Sequence, residues 1–178
     1  LRFRRQRQMC IRDRFIGVLI SFFIFSKKLN IGFFDLADHI ALAFPIGLGF
    51  VRIGNFLGGE LLGRPTDFPW GMIFWSDPLQ ISRHPSQLYQ AFFEGVVLFT
   101  ILNLLVIKPK PKIFISGMFL ALYGSFRIFT EIFRMPDSHI GFDFLDIITR
   151  GQLLSTPMVI IGLLLIFLSY RNKNETIS

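Results

Sequence analysis

A single thiol, Cys10, is present in this chain of 178 residues. No disulfide can close within it, and neither a cysteine metal cage nor a cysteine nucleophile is expected. Histidine is nearly as scarce: His39, His84 and His139 are the three, and no two of them share helical spacing. There is no H-E-x-x-H and no acidic cluster, so no metal site and no cofactor is expected. No G-x-S-x-G elbow and no phosphate-binding Gly-Lys loop occurs either. Charge is low as well, at 17% of residues, where ordinary soluble domains carry about a quarter.

What is abundant is apolar surface. The chain is 52% hydrophobic and 16% aromatic, with 23 Phe, and its mean hydropathy is +0.53. This composition belongs to a membrane protein, long enough for several spans in one bundle. The net charge of +7 is misleading, because Arg2, Arg4, Arg5, Arg7, Arg12 and Arg14 all precede Phe15 with only Asp13 against them. The rest of the chain holds 13 basic and 11 acidic residues. A basic groove with interleaved aromatics is absent, so no nucleic-acid partner is expected. Residues 1–14 change composition abruptly at Phe15 and resemble translated adapter sequence. They are expected to be an artefactual or non-family basic segment and are set aside; a basic cytoplasmic arm is the alternative.

Apolar runs fall at Phe15–Phe25, Ile40–Val51, Leu88–Ile107, Ile113–Phe133 and Leu153–Tyr170. Three reach the roughly 18–20 residues that cross a hydrocarbon core. The first is short and reads as the tail of a helix whose start is missing. The second, broken by Pro45, Gly47 and Gly49, is expected to be kinked or closely packed on a neighbour. The fold class is therefore all-α, a polytopic membrane helical bundle of about five spans, one of them truncated. Lys27 and Lys28, then Lys108, Lys110 and Lys112, then Arg171 and Lys173 follow alternate runs, which marks those ends as cytoplasmic. Residues 171–178 form a cytoplasmic tail on this reading. The connections near 57–86 and 134–150 then lie outside, with Arg64, Arg83, Arg134 and Arg150 and with Trp70 and Trp75 among headgroups. Lysine serves topology as a point charge, whereas arginine presents a planar fork suited to phosphate. Outward arginines suggest an anionic ligand, and lipid anchoring is the plain alternative.

The sharpest residues are ionisable groups at membrane depth. Tyr123, Arg127, Glu131 and Arg134 share one helix face, which should meet a polar cavity or partner helix. Val51–Arg64 reads VRIGNFLGGELLGR, with Arg52, Asn55, Glu60 and Arg64 among Gly54, Gly58, Gly59 and Gly63. Glycines there permit positive φ and close backbone approach, so this run, with Arg52 and Arg64 at either end and Asn55 and Glu60 between, could clasp a phosphate and its attached alcohol. In RHPSQLYQ, Pro85 and Ser86 are expected to cap the next helix, and His84 is a candidate proton acceptor.

Those stretches, VRIGNFLGGELLGR, RHPSQLYQAFFEG, YGSFRIFTEIFRMPD and GQLLSTP in order, resemble the prolipoprotein diacylglyceryl transferase family over about residues 15–170. The resemblance implies a multi-pass bacterial inner-membrane transferase domain at 15–170, truncated at its N-terminus, with its active site toward the outer face. The implied activity moves the diacylglyceryl group of phosphatidylglycerol onto the lipobox cysteine of prolipoprotein signal peptides, the first step of lipoprotein maturation. The implied partners are that membrane lipid and those peptides. The family signature falls on Gly54, Asn55, Glu60, Gly63 and Arg64. Arg52 matches its phospholipid-binding arginine and Arg127 its other essential arginine; Tyr123, Glu131 and Arg134 match polar positions beside it. Arg52 and Arg127 are the catalytic candidates, and Arg52, Asn55, Glu60, Gly63, Arg64, His84, Tyr123, Glu131 and Arg134 the substrate-binding ones. Where the family has His-Gly-Gly, this chain has Arg12, Asp13 and Arg14, and the family's earlier spans are missing, so the chain is expected to be a fragment without that histidine. The rival class is a noncatalytic or transport membrane protein with an outward-facing anionic-lipid site.

Overall fold

The computed structural model describes the backbone of residues 2–135 and 150–175, and side chains over 16–135 and 151–171. The outer connection expected near 134–150 lies outside these residues at 136–149, and so does His139.

Most of the described chain is helical. Helix α1 covers Arg2–Leu29 and α2 Phe33–Leu57. A single long helix then spans Ser86–Val106, composed of α3 (Ser86–Gln90), a π-helical segment (Ala91–Val97) and α4 (Leu98–Val106). Helices α5 (Phe114–Glu131) and α6 (Arg150–Glu175) complete the bundle. Two short strands, β1 (Met72–Ile73) and β2 (Ser82–Arg83), pair antiparallel in the connection after α2.

Among the described residues, three helices have the length and apolarity to cross a membrane: Phe33–Leu57, Ser86–Val106 and Gly151–Arg171. This set differs from the expected one in two ways. Helix α2 is twice as long as its apolar run, because Asp35, Asp38 and His39 are accommodated in its first turns rather than ending it. Helix α5 carries Arg127 and Glu131, so its strictly apolar stretch falls short. The helix is unbroken across Pro45, and of the two expectations for that run the contacts favour close packing: a Cβ on Gly49 would sit 3.4 Å from Gly95 Cα.

Glycine contacts of this kind replace much of the usual hydrophobic core. Large apolar side chains such as Phe50, Phe92, Leu154 and Phe167 are exposed, as expected where lipid is the solvent and apolar burial drives little association. Helices α5 and α6 meet through Gly117, Gly124 and Gly162; a Cβ on Gly162 would lie 2.5 Å from Ala121 N. A modest apolar core of Ala41, Leu98, Leu102, Phe114 and Ile115 sits between α2, α4 and α5. Helix α2 ends through Gly58 and Gly59, the latter at φ +65°, a left-handed stop that a side chain would strain.

The bundle has two chemically distinct ends. Lys27 and Lys28 lie in the last turn of α1, Lys108, Lys110 and Lys112 precede α5, and Lys112 pairs with Asp35 at the start of α2 at 2.9 Å. The opposite end gathers Arg52, Arg64, Arg83, Arg127 and Arg134. Gly95 faces Gly49 at a distance that leaves no room for a methyl group, 2.9 Å from its Cβ position to Gly49 Cα. Gly95→Val should therefore wedge α2 from the π segment and cost about 1–3 kcal/mol, read as a lowered unfolding midpoint in detergent.

Candidate functional site

Glu94 is the centre of the arginine-rich end. Its side chain is fully buried, in the middle of the π segment. Such a widened turn is uncommon and is often found at functional sites. Arg52 of α2 donates from Nε to Glu94 Oε2 at 3.0 Å, and its Nη2 is also 3.0 Å from that oxygen. Arg127 of α5 approaches the other carboxylate oxygen, Nη1 to Oε1 at 3.5 Å. Three separate segments thus converge on one carboxylate.

The alternation of charge continues along α5. Arg127 Nη2 lies 3.4 Å from Glu131 Oε2, and Arg134 Nη1 lies 3.7 Å from the same oxygen. Glu131 is buried and packs against the start of α6, where a Cβ on Gly151 would meet its carboxyl carbon at 2.6 Å. The Tyr123 hydroxyl faces Arg52, Glu94 and Arg127. The face of α5 expected to carry Tyr123, Arg127, Glu131 and Arg134 carries the first three, turned inward, whereas Arg134 lies just beyond the end of the helix and reaches Glu131 from there. Guanidinium and carboxylate groups thus alternate in a region where water screens weakly. A phosphate is the kind of anion that such forks accept.

The glycine run supplies the rim. Asn55 is half-buried in the last turn of α2, its carbonyl accepting from Glu60 N–H at 2.9 Å. Glu60 is exposed, and its carbonyl accepts from Gln87 Nε2 at 2.6 Å. Gly63 has no room for a side chain, since a Cβ would fall 2.1 Å from His84 O. Arg64 Nε donates to Arg134 O at 3.1 Å, because the backbone of Gly63 bridges Arg134 and carries Arg64 onto the end of α5. His84 stands apart from the ladder, its Nδ1 3.2 Å from the Tyr89 hydroxyl and its ring packed on Phe68 and Phe133. Ser86 does not cap α3: its hydroxyl donates to Leu61 O at 3.3 Å.

Two elements escaped the sequence reading. Glu94 lies within the quoted stretch RHPSQLYQAFFEG, and its signal was a lone carboxylate inside an apolar run, the same signal that marked Arg127 and Glu131. The other is a buried pair in the loop. Arg83 grips Asp77 through two nitrogens, Nε to Oδ2 at 2.7 Å and Nη2 to Oδ1 at 3.1 Å, and Nη1 also donates to Gly63 O at 3.3 Å. Asp77 in turn accepts from Leu79 N–H at 3.2 Å. Gln87 and Gln90, at the start of the next helix, are buried, and Gln87 Oε1 and Gln90 Nε2 have no hydrogen-bond partner among the described residues.

The Arg83 hydrogen bonds hold the Asp77 carboxyl below the ordinary value of 3.8. A carboxylate depressed in the folded state contributes fully above its unfolded pKa and is lost as pH falls through the folded one. Protection of the loop amides near Asp77, taken as exchange relative to the intrinsic rate at each pH, should therefore be flat above pH 3.8 and fall only on further acidification, whereas Asp77→Asn should lower it at neutral pH. Glu94→Ala strands two mostly buried guanidinium groups and should cost about 3 kcal/mol, toward the lower end of what breaking a buried pair costs, in detergent unfolding.

The family model for prolipoprotein diacylglyceryl transferase matches residues 11–168. A phosphatidylglycerol--prolipoprotein diacylglyceryl transferase of Pseudomonas syringae pv. syringae (strain B728a) is 51% identical over 165 residues, covering 92% of this chain and 61% of that protein. The protein of the same name from Teredinibacter turnerae (strain ATCC 39867 / T7901) is 49% identical over 164 residues, 92% of this chain and 57% of its own. The chain thus spans about three fifths of the length of the curated relatives it matches. With nearly its whole length aligned and about half of the aligned positions identical, this helical membrane chain belongs to the prolipoprotein diacylglyceryl transferase family.

Proposed function

We propose that this chain carries the phosphate-binding end of a transferase that moves the diacylglyceryl group of phosphatidylglycerol onto the lipobox cysteine of a prolipoprotein. The observation that supports this most directly is Glu94 holding Arg52 and Arg127 side by side, at 3.0 and 3.5 Å. Both arginines remain about one-seventh exposed while their shared carboxylate is sealed. They are fixed in direction yet still reachable by a ligand.

The nucleophile belongs to the peptide, so the enzyme requires no cysteine of its own. The thiolate sulfur attacks the glycerol carbon that bears the phosphate. A C–S bond forms, the C–O bond breaks, and its electron pair leaves on the phosphate oxygen of the departing glycerol phosphate. The thiol proton goes to a base. Negative charge therefore grows on the phosphate as the reaction proceeds, and preorganised guanidinium forks stabilise that state more than the ground state. Arg52 is the principal clamp and Arg127 the second positive charge. Glu94 and Glu131 keep both from collapsing onto other partners. Tyr123 flanks the clamp, while Asn55, Glu60, Gly63, Arg64, His84 and Arg134 form the rim where the headgroup glycerol and the peptide would be met.

The lysine-rich end lies toward the cytoplasm of a bacterial plasma membrane on this reading, with the C-terminus, because cytoplasmic flanks collect basic residues. The arginine end then faces outward, where exposed Trp70 and Trp75 suit headgroup depth. A transport pathway would continue polar residues through the span. Leu98 and Leu102 are instead fully buried among apolar neighbours on the lysine side of Glu94, which favours a one-sided site.

The test incubates phosphatidylglycerol and a lipobox peptide with membranes holding this chain and, separately, residues 15–178 joined to the N-terminal part of a relative. A peptide mass gain of one diacylglyceryl group is the expected product. In whichever form is active, Arg52→Ala and Arg127→Ala should each lower turnover by about 10²-fold or more. Near-normal turnover in either variant would remove that arginine from the mechanism.

A further inference from the structure

We infer that Asp38, at the opposite end of the bundle from the arginines, is a positioning residue: it sets the register of α5 against α2 and so holds Arg127 level with Arg52. This rests on reading the arginine ladder as the phosphate site. Asp38 lies in the second turn of α2, but its carboxylate serves another helix. Its Oδ2 accepts from Ile113 N–H at 2.8 Å, and its Oδ1 accepts from Ser116 N–H at 2.8 Å and from the Ser116 hydroxyl at 2.5 Å. These amides begin α5, where a helix has no partners of its own for its first N–H groups. Capping is ordinarily local; here the cap comes from a different helix, so it fixes one helix relative to the other.

The backbone at that point is bent to suit. Ile113 stands at φ +70°, a left-handed conformation that a β-branched residue rarely adopts, and there its N–H faces Asp38. Helix α6 joins the same junction, with the Ser169 hydroxyl donating to Lys112 O at 2.7 Å.

The register follows from helix geometry. Helices α2 and α5 run in the same direction, and the stretch from Asp38 to Arg52 equals that from Ile113 to Arg127, about four turns or 21 Å in each. Levelling the two helices at Asp38 levels the two arginines at Glu94. Between these polar nodes the α2–α5 contacts are apolar, such as the edge-to-face pair Phe44–Phe119 with centroids 5.6 Å apart. Contacts of that kind hold helices together without specifying how far one has slid. A slip of one turn would carry Arg127 about 5.4 Å along the axis and out of reach of Glu94.

The experiment reads register without relying on catalysis. On a Cys10→Ser background, the pair Phe44→Cys with Phe119→Cys is crosslinked in membranes with a short bifunctional thiol reagent. The displaced pairs, Phe44→Cys with Ile115→Cys and with Tyr123→Cys, serve as one-turn markers. Asp38→Ala should lower the first crosslink severalfold and raise one of the displaced ones. Asp38→Asn keeps Oδ1 for Ser116 and should give an intermediate pattern, so a merely unfolded Asp38→Ala is distinguishable. In the transfer-competent form, Asp38→Ala should lower kcat about tenfold or more, as expected when a charged donor is misplaced, with little change in KM for lipid, and Asp38→Asn should recover part of it. An unchanged crosslink pattern in Asp38→Ala and Asp38→Asn overturns the inference whatever the activity. A displaced pattern with unchanged kcat overturns the link between register and transfer. Absence of transfer in the parent form, with the crosslinks responding as expected, counts against the functional reading and leaves the register standing.

Discussion

A carboxylate sealed from solvent inside a membrane bundle must have its charge met by the protein, and Glu94 has it met twice, by Arg52 and Arg127. Burying such a cluster is costly unless each partner is in place, so the requirement reaches back into the fold. The π segment turns Glu94 inward. Gly95, the next residue, lets the segment approach α2 at Gly49 closely enough for Arg52 to reach. Arg127 must then arrive at the same depth from α5, and Glu131 must hold its other side. The ladder thus joins α2, the π segment and α5 through charge at the arginine end.

The remaining architecture can be understood as two polar nodes separated by a smooth apolar middle. At the lysine end, Asp38 and Asp35 of α2 tie down the start of α5; at the arginine end, the charge ladder ties α2, the π segment and α5 together. Between them, close glycine contacts and a small apolar core bring the helices near one another, while most large side chains face outward to lipid. In a bilayer there is little hydrophobic gain from packing helix on helix. Directional polar contacts at the ends therefore decide the arrangement that the small residues merely permit.

The loop after α2 is organised by the same rule on a smaller scale. Arg83 and Asp77 bury their charges against each other and against Gly63 O. That contact pulls the loop onto the end of α5, where Gly63 bridges Arg134 and Arg64 donates to its carbonyl. Arg64 becomes part of the rim, and the deep pair of positive charges is Arg52 with Arg127.

The helical membrane class, the opposed lysine and arginine ends, and the inward face of α5 were all legible in the order of residues, because each depends on local composition or on helical spacing. That Arg52, Arg127 and Glu131 sit as ionisable groups inside apolar runs was legible too, since such groups stand out one residue at a time. What only the tertiary structure decided was partnership. Nothing in the spacing says that Glu94 lies between two arginines from other helices, that Asp38 caps a helix distant in sequence, or that Arg64 turns to a backbone carbonyl. Those pairings depend on the helices' relative depth and rotation, which arise from contacts between residues far apart in the chain and leave no local periodicity to read.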